Sequence, residues 1–319
     1  MFDSFRSTAR WLAAVAASLL LISCGGSSND TPEAPPFGKT TVVFGASVSD
    51  TGNACALSAA SCPPAPPYAT GRFSNGSLWI ETVAARYGAT ATPSLLGGFN
   101  YSYGGATTGT VPGTTVTNRP PSMVAQMDQY LARVNYQVNP QTLVILDGIT
   151  VGNNIADALT QVLGGNANAP TAVLTAAVTD VAGMVTRLYA AGARTIVVLN
   201  SVNIGKTPRI TALNNPVATA GATQMSQQFN GALAQQFAAL RASSPGLNLL
   251  LVDSYAFEAA IQAAPAANGF TNVTAPCFAT TPAPSVCATP DTYYYWDTFH
   301  PTFATGQRLA QEVIRVIGR

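Results

Sequence analysis

The sequence predicts an α/β fold built on a mainly parallel sheet, and two observations carry that expectation. Short β-branched, apolar runs recur at Thr40-Thr-Val-Val-Phe44, Leu143-Val-Ile-Leu146, Thr195-Ile-Val-Val-Leu199 and Leu249-Leu-Leu-Val252, as strands buried on both faces require. Between them lie longer stretches with apolar residues three and four positions apart, which is helical spacing. Strands alternating with helices form layered folds with right-handed crossovers. Such sheets hold their ligands outside the carboxyl ends of the strands.

The N-terminus stands apart from this pattern. Arg6 and Arg10 precede an apolar run from Trp11 to Ile22 that is too short to span a bilayer as a mature helix, so residues 1–23 read as an export signal. Its end, Leu21-Ile22-Ser23-Cys24, resembles the bacterial lipoprotein box, in which the cysteine is diacylated and becomes the first residue after cleavage. Two acyl chains anchor a protein stably where one is marginal. Gly25 after the cysteine resembles the outer-membrane sorting pattern of Gram-negative lipoproteins. The expectation is an exported, membrane-anchored lipoprotein held through Cys24; a plain secretory signal with a chance cysteine is the alternative. Residues 24–36 are polar and Pro-rich with nothing to bury, a tether.

A domain follows over residues 37–319. The first strand, Thr40 to Phe44, runs straight into Gly45, and helical spacing covers Ser77 to Tyr87. The Thr-, Ala- and Gly-rich stretch from Ala89 to Pro121 has weak periodicity and reads as a long loop, the kind that walls a site. Further helices are expected over Met123 to Val134, Ala169 to Ala191, Ala220 to Ala242 and Thr302 to Ile317, with the remaining strands between them. No repeat and no second composition regime divides this span.

At 319 residues and 47% hydrophobic content the chain has ample material for a core. Only 9% of residues are charged and the net charge is +1, which leaves no basic footprint for phosphate neutralisation and argues against a nucleic-acid partner. Cys55, Cys62, Cys277 and Cys287 are even in number, as in an oxidising compartment. Of the pairings open to them, Cys55 with Cys62 and Cys277 with Cys287 is preferred, because each pair brackets a Pro- and Ala-rich loop with no other reason to be ordered. A zinc site competes, but neither pair has the short ligand spacing.

Ser47 comes directly after a strand and a glycine, where its hydroxyl is presented at the carboxyl edge of the sheet beside free N–H groups. A hydroxyl needs a base, most often a histidine held in turn by a carboxylate. The chain has a single histidine, His300, in Tyr295-Trp-Asp-Thr-Phe-His-Pro301, with Asp297 three residues before it. That spacing lets the carboxylate accept from one imidazole nitrogen while the other faces the serine. Taken singly, a lone histidine fits a core or surface position and a serine after a strand fits a turn or cap. Their joint occurrence with two further segments points to chemistry.

Phe44-Gly-Ala-Ser-Val-Ser-Asp-Thr-Gly-Asn53 and Asp297-Thr-Phe-His-Pro-Thr302 resemble the first and last sequence blocks of the SGNH, or GDSL-type, serine hydrolases. Gly71-Arg-Phe-Ser-Asn-Gly76 and Gly192-Ala-Arg194 resemble segments of its secreted lipase-like branch. The resemblance implies a three-layer α/β/α sandwich similar to flavodoxin and a nucleophile, base and orienting acid at Ser47, His300 and Asp297. Asn100-Tyr-Ser-Tyr-Gly-Gly-Ala106 resembles the second block, which puts the oxyanion-hole glycine at Gly105. A glycine there lets its N–H approach the developing oxyanion, although a flexible turn is the simpler reading of two glycines.

The third block, with an oxyanion asparagine in G-x-N-D, departs from the pattern: Asp147-Gly-Ile-Thr-Val-Gly-Asn-Asn-Ile155 permits Asn153 or Asn154. Asn153 is preferred because Ile155 then follows the pair and opens the next helix. Ala46 replaces the aspartate usual beside the nucleophile and Asn154 stands where an aspartate is usual. Two carboxylate supports of the active-site loops are therefore absent, or the loops are braced differently.

The resulting expectation is an esterase or lipase-like enzyme acting on a small-molecule or lipid ester through an acyl-enzyme, with no metal or organic cofactor implied. The alternatives are a lysophospholipase, a carbohydrate O-acetylesterase, or a degenerate lipoprotein that binds without turnover. Tyr293-Tyr-Tyr-Trp296, with Phe73 and Trp79, would line an apolar acyl or sugar cleft or belong to the core.

Overall fold

In the computed structural model, which describes residues 37–318, strand β1 (Thr41–Phe44) pairs in parallel with β2 (Leu143–Asp147), β2 with β3 (Thr195–Leu199), and β3 with β4 (Asn248–Val252). The sheet order is β1-β2-β3-β4. On the free side of β1, Val43 N–H donates to the Phe99 carbonyl (3.1 Å) and Tyr101 N–H donates to the Val43 carbonyl (2.8 Å). This short edge segment makes the sequence of neighbours that of a flavodoxin-like sheet. The expected export signal, Cys24 and the tether lie outside the described residues.

Helices α1 (Asn53–Leu57), α2 (Trp79–Arg86), α3 (Met123–Arg133), α4 (Val151–Leu163), α5 (Ala169–Ala190), α6 (Pro208–Thr211), α7 (Pro216–Ser243), α8 (Ser254–Ala263) and α9 (Phe303–Ile317) complete the main architecture. The alternation along each strand decides the layers. Val42, Phe44, Val144, Leu146, Ile196 and Val198 pack with α3, α4, α5 and α7 on one face. Val43, Leu143, Ile145, Val197 and Leu199 pack with α2 and α9 on the other. Both faces are covered, which is why these strands read as unbroken apolar runs. The fold is the expected α/β/α sandwich.

Two helices differ from their sequence reading. Helix α7 begins at Pro216, four residues before Ala220, because the Asn215 side chain accepts from the N–H groups of Val217 and Ala218 and proline is favoured in the first turn. Helix α4 begins at Val151 rather than Ile155. The Asp147 side chain caps a tight turn at Gly148–Thr150 that runs directly into it, so Asn153 and Asn154 lie within its first turn. Helix α5 is long and apolar enough to cross a membrane by length and composition, yet Val173, Ala177, Val181, Met184, Val185 and Leu188 face the core.

The disulfides are Cys55–Cys62 and Cys277–Cys287, so each pair brackets its own loop. The second borders a small aromatic cluster in which Tyr68 meets Phe278 edge-on (5.5 Å between centroids) and Phe278 stacks on Trp296 (5.8 Å). Strands β5 (Asn272–Pro276), β6 (Phe278–Ala279), β7 (Ser285–Val286) and β8 (Tyr293–Tyr295) form two further small sheets, β5 with β8 and β6 with β7. Of the aromatics that were candidates for the cleft, Tyr294, Tyr295, Trp296 and Trp79 are buried core residues.

Gly148 sets how closely β2 and β3 meet below the site: a methyl group there would lie 2.0 Å from the Leu199 carbonyl oxygen. Gly148→Ala should therefore cost roughly 3 kcal/mol of unfolding free energy by urea titration. A loss below about 1 kcal/mol would show that the strand ends part easily.

Candidate active site

The site begins where β1 ends. Gly45 continues the strand by a paired contact with Gln126: its N–H donates to Oε1 and its carbonyl accepts from Nε2, both at 2.9 Å. A side chain at Gly45 would collide with Asp147 Cβ, 2.8 Å away. The chain then turns, with Ser49 N–H donating to the Ala46 carbonyl, and leaves the Ser47 hydroxyl at the edge of the sheet.

Ser47 Oγ lies 2.8 Å from His300 Nε2, and His300 Nδ1 lies 2.7 Å from Asp297 Oδ2. Asp297 Oδ1 accepts from the backbone N–H of Phe299 (2.8 Å) and of His300 (2.7 Å), while Tyr68 donates its hydroxyl to Oδ2 (2.7 Å). Burial by itself raises the Asp297 carboxyl, but the neighbouring His300 and these hydrogen bonds outweigh it and hold it at about 2. An ionised Asp297 keeps the proton on Nδ1 and leaves Nε2 free to accept from the serine. Burial and the Asp297 charge push the Tyr68 phenol up, so it stays a donor. Phe73 lies 5.2 Å from the imidazole, ring to ring.

A second group of residues brings the 99–108 segment to Ser47. Asn53 Nδ2 donates to the carbonyls of Asn100 (2.7 Å) and Ser102 (3.0 Å), and Asn100 Nδ2 donates to the Ser49 carbonyl (2.7 Å). Asp50 accepts from the N–H groups of Gly52, Asn53 and Ala54, and from Gly104 N–H across the gap at 2.7 Å. Gly104 passes so close to Phe73 that a Cβ would sit 2.4 Å from its ring, and Gly105 takes the left-handed conformation (φ +82). Among the described residues, neither Ser47 N–H nor Gly105 N–H has an intramolecular acceptor.

The two asparagines separate cleanly. Successive helical residues point about 100° apart, so only one of them faces the cleft. Asn153 lines it beside Ser47 and Gly105, with one Nδ2 hydrogen held by the Ala106 carbonyl at 2.7 Å and the other free. Asn154 is buried and clamps Thr108, accepting from its N–H (3.2 Å) and donating to its hydroxyl (3.0 Å). Gly152 admits the Phe299 ring, which a Cβ would approach to 2.9 Å.

Two other carboxylates, Asp50 and Asp147, brace the loops beside Ser47. Asp50 performs the bracing described above, and Asp147, at the end of β2, accepts from the Ser49 hydroxyl (2.7 Å) and from Ile149 N–H (3.2 Å). Burial pushes Asp147 up to about 6, against the lowering effect of those two bonds. Sequence reasoning missed Tyr68, Gln126 and the bracing roles of Asp50 and Asp147. Asp50 stands inside the first block and was the one within reach; the others meet their partners only across the fold. The cleft itself is open and of about 360 Å³, walled by Tyr68, Phe73, Phe278 and Phe299 around Ser47 and His300. Among the described residues no group of histidine, cysteine, aspartate and glutamate is arranged to hold a metal.

Comparison with known proteins shows which family the chain resembles. A family model described as GDSL-like lipase/acylhydrolase matches residues 41–313. A GDSL esterase/lipase of Arabidopsis thaliana is 27% identical, over 88% of this chain and 91% of its own. The thermolabile hemolysin of Vibrio parahaemolyticus is 25% identical, over 90% of this chain and 66% of its own. Among solved structures, a lipase from a goat rumen metagenome aligns with a TM-score of 0.49 at 12% identity, covering 88% of this chain and 97% of that one.

The buried Asp147 makes a signed pH prediction. A carboxyl raised to about 6 in the fold favours the folded state below its ordinary value, and that advantage is lost as pH rises through the folded value. Asp147→Asn removes the titration. The variant should gain on the wild type by about 2 to 3 kcal/mol between about pH 4 and about pH 7 in urea unfolding, and a difference independent of pH would contradict the perturbed carboxyl.

Proposed function

The chain belongs to the GDSL-like lipase/acylhydrolase family, whose members hydrolyse ester bonds, and we propose that it does so through a covalent acyl-enzyme on Ser47. The observation that carries this reading is the unbroken line of hydrogen bonds Ser47–His300–Asp297 at 2.8 and 2.7 Å. Ser47 Oγ attacks the ester carbonyl carbon and its proton passes to His300 Nε2, giving a tetrahedral oxyanion. Asp297 steadies the imidazolium and fixes its orientation. Collapse breaks the bond to the alcohol oxygen, which takes the proton from His300 and leaves. Water then repeats the sequence: His300 takes its proton, the hydroxyl attacks the acyl-enzyme, and Ser47 recovers the proton as the acid departs.

The oxyanion is received by Ser47 N–H, Gly105 N–H and the free hydrogen of Asn153 Nδ2. Preorganised donors of this kind act where charge develops and need no rearrangement during reaction. The two N–H groups have no intramolecular acceptor among the described residues, and the Asn153 amide is held by Ala106, so all three are ready before substrate arrives. The aromatic walls and modest volume of the cleft suit a carboxylic ester with a short or medium acyl chain.

The enzyme is further proposed to work outside the cytoplasm, as a lipoprotein of the outer membrane anchored through Cys24. The two disulfides support export. The anchor rests on Arg6, Arg10, the apolar run to Ile22 and the box ending in Cys24.

A fluorophosphonate probe, which phosphonylates activated serines, tests the mechanism. Wild type should label, Ser47→Ala should not, and His300→Ala should label far more slowly. Asn153→Ala should slow acylation by about 100-fold or more, whereas Asn154→Ala should chiefly lower thermal stability by stranding Thr108. Folded protein that takes no label, or the reverse ranking of the two asparagines, would overturn this assignment.

A further inference from the structure

Arg209 lines the cleft that holds Ser47, and its guanidinium has no partner among the described residues. Arg209 lies on α6 and lines the cleft together with Ser47 and His300. Its backbone N–H donates to the Thr298 carbonyl at 2.7 Å, which ties α6 to the turn between Asp297 and His300. The other arginines among the described residues all have partners. Some pair with carboxylates, as Arg72 with Glu81 and Arg119 with Asp157. Some donate to backbone carbonyls, as Arg241 to Leu249, and the rest lie over aromatic rings, as Arg308 over Phe270. The Arg209 guanidinium has no carboxylate, carbonyl or ring of this kind among the described residues, and the residue is exposed.

Nothing within the cleft answers that charge. Among the described residues Asp297 is the one carboxylate lining it, and its two oxygens are taken by His300, Tyr68 and two backbone N–H groups. The remaining walls are uncharged. A guanidinium stays charged at any accessible pH and presents its donors as a fork that matches a carboxylate or phosphate. A cleft of one sign also draws the opposite charge toward it. We propose that Arg209 is a specificity-determining residue that receives an anionic group, carboxylate or phosphate, carried by the ester substrate. This inference rests on the ester-hydrolase reading above and narrows its substrate class.

Two matched pairs of esters test it. One pair is an aryl hydrogen adipate and the corresponding aryl methyl adipate, which differ by a carboxylate at the far end of the acyl group. The other is a 1-acylglycerol 3-phosphate and the 1-acylglycerol with the same acyl chain, which differ by a phosphate on the alcohol. Wild type should show the higher kcat/KM for the charged member of at least one pair, and the pair that responds identifies the anion. Arg209→Gln should lower that charged-to-neutral ratio by about tenfold, mainly through KM, and Arg209→Lys should restore part of it. Added salt should narrow the wild-type ratio. The proposal is overturned if wild type has no preference for the charged member of either pair. It is equally overturned if Arg209→Gln leaves the ratio unchanged, or if it slows charged and neutral esters alike. Neutral esters turned over with an unchanged ratio strike only the role of Arg209, whereas no turnover of any of the four strikes the ester-hydrolase reading beneath it.

Discussion

Ser47 and His300 stand 253 residues apart in the chain, yet their side chains meet at 2.8 Å, and the proton transfer proposed between them would lose much of its effect if they were displaced by an ångström. Both ends of that contact are accordingly held by rigid parts. Ser47 leaves a strand buried on both faces, and the Gln126 amide grips the residue two before it by both of its polar atoms. On the other side Trp296 N–H donates to the His300 carbonyl at 2.7 Å, and Asp297 folds the turn upon itself. Helix α9, which follows at once, packs Leu309, Val313 and Ile317 against the sheet. The disulfide at Cys277 and the aromatic cluster around Phe278 and Trp296 close the wall of the cleft.

Buried carboxylates knit the loops at this edge of the sheet, and each trades desolvation for hydrogen bonds. Asp50 answers four backbone N–H groups and joins the Ser47 turn to Gly104. Glu258, on α8, accepts from Asn203 N–H (2.6 Å) and from the Tyr295 hydroxyl (2.8 Å), although burial pushes it up to about 7. It thereby ties the loop leading toward α6 to the strand leading toward Asp297. Removing one partner of such a group strands the rest without water, which costs more than the bond itself contributes. The loops around Ser47 are held for that reason by Asp50 and Asp147, with no carboxylate at Ala46.

The central strands were legible because burial on both faces leaves no polar position to break the run, and their observed limits fall within one residue of the expected ones. The start of α7 was not, since an Ala- and Thr-rich helix has little amphipathic contrast and only the Asn215–Pro216 cap marks its beginning. The small strands around Cys277 are short, irregular and surrounded by prolines, so no period of two emerges. In the site, Ser47, Asp297 and His300 were visible as motifs and are brought together by the fold. Tyr68 was not, because it reaches Asp297 across 229 residues with no local signal. Which of Asn153 and Asn154 lines the cleft is a matter of helix geometry: with α4 beginning at Val151, neighbouring side chains diverge, and only Asn153 reaches the cleft while Asn154 holds Thr108. The isolation of Arg209 is a property of its surroundings and has no expression in sequence at all.

Catalysis as proposed requires a covalent acyl group to pass through Ser47. The direct measurement is peptide mapping by mass spectrometry of enzyme acid-quenched during turnover of p-nitrophenyl butyrate. It should find one butyryl group on the peptide containing Ser47, absent from Ser47→Ala and lost when the substrate is exhausted. Steady turnover with no adduct under conditions where deacylation is slowed, or an adduct on another residue such as Ser49, would contradict it.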